Sequence, residues 1–106
     1  MSKIANGLKL DEETKSIIKS SLNKEENLLN LGLSKWKSKL KEFEKTDKIS
    51  TETFVKKFNS GQLGDDKKWF EWLFAYKAYN HIKEKLSLMK GIALRFMIIS
   101  LKYKEG

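Results

Sequence analysis

The chain has 106 residues, one domain's worth, with 22 basic and 14 acidic residues and a formal charge of +8. It holds no cysteine, which excludes a disulfide framework and thiolate metal sites and points to the cytoplasm rather than a secreted scaffold. The positive balance favours an acidic partner: nucleic acid, an anionic membrane surface or an acidic protein. Twenty-one of the basic residues are lysine and only Arg95 is arginine, a poor supply of the side chain that reads guanine edges.

At the N-terminus, Met1–Gly7 lacks the apolar core of a signal peptide, and the longest apolar stretch, near Met97-Ile98-Ile99, is too short to span a bilayer. No membrane partner is expected. Residues 3–10 alternate faintly, with Ile4, Leu8 and Leu10 set against Lys3 and Lys9. A short strand interrupted by Gly7 fits this, and so does a frayed end.

Asp11 reads as a helix N-cap, with Glu12 and Glu13 suited to the positive end of the helix dipole. Ile17, Ile18 and Leu22 give a short helix one apolar face, and Asn23-Lys24 reads as a break. A longer helix then runs from about Glu25 to Lys45. Its Leu29, Leu33, Trp36, Leu40 and Phe43 are spaced 4, 3, 4 and 3, a heptad seam that must pack on another helix or on a symmetry mate. Gly32 inside this helix costs roughly 1 kcal/mol relative to alanine, tolerable where close helix packing is gained.

Thr46-Asp47-Lys48 reads as a loop. Ser50 caps a third helix, with Ile49 and Phe54 placed as a hydrophobic staple, and Gly61 ends it in a left-handed conformation. Phe54, Val55 and Phe58 form its apolar face. After the tight connection Gln62-Leu63-Gly64, Asp65 or Asp66 caps a fourth helix that runs to about Lys90 and stops at Gly91. Its face is wide: Trp69, Phe70, Trp72, Leu73, Tyr76, Tyr79, Ile82, Leu86 and Met89. Residues 92–103 fit either a strand or a last helical turn.

Catalytic chemistry finds little support. His81 is the single histidine, no nucleophile motif surrounds any serine, and Gly61–Gly64 lacks the lysine and hydroxyl residue of a phosphate-binding loop. Asp65, Asp66 and Glu71 could hold Mg²⁺ in principle, but helix capping and the helix dipole account for all three. The chain is therefore expected not to be an enzyme and to need no cofactor.

Six of the twelve aromatic residues fall between Trp69 and Tyr79, more than one helix stripe can bury. Trp69, Trp72, Tyr76 and Tyr79 share one face and are expected in the core. Phe70 and Phe74 form a second ridge, expected to stay more exposed and to serve partner binding together with Phe54 and Phe58.

The segment from Phe54 to Trp72 resembles a motif of small prokaryotic antitoxin-like proteins from toxin–antitoxin loci. The matching positions are Phe54, Phe58, Gly61, Leu63, Gly64, Asp65, Asp66, Phe70, Glu71 and Trp72, and the resemblance extends over about residues 30–91. It implies a protein that binds and neutralises a toxin, with Gly61, Gly64, Asp65, Asp66, Glu71 and Trp72 as its structural motif. In related antitoxins the N-terminal part is often a DNA-binding ribbon–helix–helix dimer. Residues 1–45 have the matching order of elements, so operator binding through Lys3 and Lys9, and a homodimer, are expected by this analogy. The acidic turn at Asn23–Asn27 suits phosphate contact poorly.

These readings give an all-α single domain of about four helices in two hairpins, with a possible short N-terminal strand. Residues 46–91 form the partner-binding half and 92–106 a tail. The alternatives to an antitoxin are a DNA-binding regulator using Lys3, Lys9 and the lysines at 35, 37, 39 and 41, or a helical oligomerisation module built on the Leu29–Phe43 seam.

Overall fold

The computed structural model describes residues 11–102. Lys3, Lys9 and the stretch expected as a possible N-terminal strand lie outside the described residues. Within them the order is α1 (Glu12–Asp47), α2 (Thr51–Asn59) and α3 (Lys67–Lys102). The all-α class stands, with three helices rather than about four.

Asp11 begins α1 as its composition requires: the side chain accepts a hydrogen bond from the Thr14 amide at 2.7 Å. The helix then runs unbroken for 36 residues. The expected break at Asn23-Lys24 is absent, and with it the separate short helix of a ribbon–helix–helix arrangement. The physical reason is that neither residue breaks a helix. Asparagine and lysine carry small propensity costs, and the half-buried Leu22 and Glu26 on either side carry the seam across. The end of α1 does need a special conformation. Lys48 takes the left-handed region at φ 59°, and its amide donates to the Glu44 carbonyl.

Ser50 caps α2 as expected, accepting from the Thr53 amide at 3.1 Å, and Ile49 packs on the core that holds Phe54. Gly61 follows with φ 76°. Its amide donates to the Phe58 carbonyl and that of Gln62 to the Lys57 carbonyl, the paired bonds of a Schellman ending. Among the described glycines only Gly61 adopts positive φ, so Gly64 is not held there by a left-handed turn.

Asp66, not Asp65, starts α3: its carboxylate accepts from the Lys68 amide at 3.0 Å. Gly91 does not end this helix, which continues to Lys102. The 92–103 ambiguity resolves as helix over the described part. Trp72, Ala75, Tyr79, Ile82, Leu86, Met89, Ala93, Phe96 and Ser100 alternate in steps of three and four, so one seam passes straight through Gly91, whose cost of about 1 kcal/mol packing can override.

The two long helices lie antiparallel and make most of the tertiary contacts, with the short α2 across one end. The result is a rod of 63 × 22 × 21 Å, close to the length of about 54 Å that 36 residues of helix impose. At Gly32 the hairpin leaves no room for a side chain unless Ile82 shifts. A Cβ there would lie 2.9 Å from Ile82 Cδ1, so the cost of the glycine is offset by close helix packing.

Candidate functional site

The α2 end of the rod is organised by Trp72, which is wholly buried together with Phe54. Phe54 lies parallel to its ring at a centroid distance of 4.1 Å, and Phe43 lies nearly parallel at 5.3 Å. Trp69 extends the cluster, 5.8 Å from Phe54. Offset aromatic packing of this kind contributes about 0.5–1.5 kcal/mol per pair beyond area burial.

A buried indole needs an acceptor, and α2 supplies it. Trp72 Nε1 donates to Thr51 Oγ1 at 3.1 Å. The Thr51 hydroxyl donates in turn to Glu44 Oε2 at 2.8 Å, and the Thr51 amide reaches the same oxygen at 2.9 Å. One glutamate thus satisfies a free amide at the start of α2 and completes a polar chain joining all three helices. Beside it, Lys68 Nζ meets Asp47 Oδ1 at 2.9 Å, tying the end of α1 to the start of α3. The other Asp47 carboxylate oxygen is buried without a partner. The hydrogen bond to Asp47 is the main cause that raises the Lys68 pKa above 10.5; burial opposes it, and the charges of Asp47 and Asp66 add to it.

Phe70 and Phe74 face outward from this core, 51% and 63% exposed, as their ridge implied. Both are braced from beneath. The Phe70 ring meets Phe58 edge-on at 5.6 Å, and the Phe74 ring meets Trp36 edge-on at 5.4 Å. Trp36, Phe43, Phe70 and Phe74 line a shallow groove between α1 and α3, with Lys39, Lys67 and Glu71 at its edge.

The sequence-predicted residues therefore separate. Phe70 and Phe74 form one surface. Phe58 is half-buried and supports it. Phe54 is fully enclosed, so its expected contact role gives way to a core role, because its place opposite the staple residue Ile49 directs it inward. Trp72 is core as expected, whereas Trp69, Tyr76 and Tyr79 are only half-buried. Glu71 lies beyond the first turn of α3 and pairs with Lys67 at 3.7 Å on the surface, so it does not serve the helix dipole. Gly61, Gly64, Asp65 and Asp66 build the connection, with the roles of Gly61 and Asp66 defined by their geometry. His81 is exposed. Among the described residues no three histidine, aspartate or glutamate side chains group as a metal site, and no helix is long and apolar enough to cross a membrane.

Glu44 and Thr51 escape sequence reasoning. Their link spans seven residues across a loop, and the only available signal was the need of a core tryptophan for a hydrogen-bond acceptor. No protein-family model matches the chain, and no curated protein or solved structure resembles it at a significant level.

Proposed function

We propose that this protein is an antitoxin-like binding protein, acting in the cytoplasm as a homodimer, that neutralises a toxin by docking the Phe70–Phe74 face onto it. The observation that carries the reading is the braced aromatic groove. Two phenylalanines stand half or more exposed while Phe58 and Trp36 hold their rings from below. Aromatic side chains fixed in this way lose little entropy on binding and are the usual anchors of an interface. The motif resemblance over Phe54–Trp72 supplies the partner class, and the site offers recognition rather than catalysis.

Operator binding is carried less far. A ribbon–helix–helix fold needs a break in the region that α1 crosses as one helix.

The test is calorimetric titration with the product of the neighbouring open reading frame. Phe70→Ala/Phe74→Ala should weaken binding at least tenfold while helicity and melting temperature hold. An unchanged affinity in a folded variant would remove this face from the interface, and absence of binding by the wild type would reject the antitoxin reading.

A further inference from the structure

The lysines at 35, 37, 39 and 41 do not form one stripe. Two residues of helix turn the side chain by about 200°, so the set divides between the two flanks of the hairpin. Lys39 lines the groove of Trp36, Phe43, Phe70 and Phe74. Lys35, one turn earlier, holds its ammonium 4.9 Å from the centre of the Trp36 ring. Lys37 and Lys41 line a cleft on the other flank, beside Tyr76, Tyr79 and Lys83. All four lysines are exposed, and among the described residues none of them joins an ion pair.

The aromatic groove is thus walled differently on its two sides. On the α3 side Lys67 meets Glu71 at 3.7 Å, so the two charges largely offset each other. On the α1 side Lys35 and Lys39 lie about 6 Å apart along the helix axis. Further out stand one charge of each sign: Glu42, one turn beyond Lys39 at the end away from Lys35, and Lys77, one turn beyond Phe74, both exposed. The positive charge left over therefore belongs to Lys35 and Lys39, beside the exposed rings of Phe70 and Phe74.

We propose that the protein surface docked on this face is acidic where it meets α1: it seats an apolar side chain against Phe70, Phe74 and Trp36 and sets carboxylates against Lys35 and Lys39. The inference rests on the functional reading above and adds the chemistry of the toxin surface. Protein carboxylates suit the groove better than a nucleic-acid backbone does. Glu71 lines the groove itself and would repel a run of phosphates crossing it, whereas single carboxylates can be placed on the α1 wall alone. Exposed cations at the edge of an apolar contact govern the rate of association and the choice of partner more than the depth of binding.

The experiment titrates the full chain with the product of the neighbouring open reading frame at two salt concentrations, with circular dichroism as a folding check. Lys35→Gln/Lys39→Gln should raise Kd about fivefold in about 0.15 M salt, the scale of two exposed ion pairs. The difference should vanish in about 1 M salt, where charges are screened within about 3 Å. Lys37→Gln/Lys41→Gln removes the same charge from the same helix and should leave Kd within about twofold of wild type, because it acts from the other flank through screening solvent. Equal losses from the two pairs would reduce the effect to net charge and overturn the assignment to the α1 wall. An unaffected Lys35→Gln/Lys39→Gln variant, with binding still lost in Phe70→Ala/Phe74→Ala, overturns the acidic contact and leaves the antitoxin reading standing. If wild type does not bind the neighbouring product, reading and inference fall together. Binding of a single-stranded oligonucleotide that is lost in both the lysine and the phenylalanine variants would then assign the face to nucleic acid.

Discussion

The two ends of the rod are built from different materials. At the α2 end three helices enclose stacked rings, and a hydrogen-bonded chain from Trp72 through Thr51 to Glu44 fixes their relation. At the far end two helices meet along a seam that includes small or polar members such as Ala93 and Ser100, and aliphatic side chains remain in solvent. A third element is what makes the difference: two helices alone can bury only the stripes they turn towards each other, whereas α2 covers what would otherwise be the open side of Trp72. One end therefore encloses its largest side chains and the other leaves aliphatic ones exposed.

The largest expected effect separates the ends directly. Trp72→Ala should destabilise the protein by about 3–5 kcal/mol, and Leu86→Ala in the far half by about 2 kcal/mol, the lower limit for a leucine truncation whose cavity can collapse or fill with water. Urea unfolding of the two variants checks the ordering, and equal losses would remove the contrast. A smaller effect isolates the polar chain. Thr51→Val keeps the shape but leaves Trp72 Nε1 without its acceptor and Glu44 Oε2 with the residue 51 amide alone, and should cost about 1–3 kcal/mol in the same assay.

How far the sequence discloses this arrangement follows from the range of each interaction. Caps and turns were legible at Asp11, Ser50 and Gly61 because their chemistry is settled within three or four residues. The heptad seam from Leu29 to Phe43 and the exposure of Phe70 and Phe74 were legible from periodicity. The continuity of the two long helices was not. Asn23-Lys24 and Gly91 are weak local signals, and tertiary packing along the seam outweighs them. The bond from Glu44 to Thr51 and the pairing of Asp47 with Lys68 depend on how two loops fold back, which no spacing encodes.

The smallest expected effect concerns pH. Lys68 gains Asp47 on folding, which raises its pKa above 10.5. Its contribution is thus fully present below the unfolded value and is lost as the pH climbs through the raised one. The difference in melting temperature between wild type and Lys68→Met should be constant through neutral pH and shrink above about 10.5. Thermal melts from pH 7 to 11.5 read it, and a gap that instead widens with alkalinity would show that the ion pair is not its source.

The ring cluster also bears on the order in which the chain folds. Among the described residues every aromatic pair in contact falls between Trp36 and Phe74, so the ring cluster joins residues separated by only a modest length of chain. Such contacts cost little loop-closure entropy and can form early. Closing the rod from that end then places each further turn of α1 and α3 beside its counterpart, and every added layer has a short search to make. The hairpin would assemble as a zip does, from its fixed stop towards its open teeth.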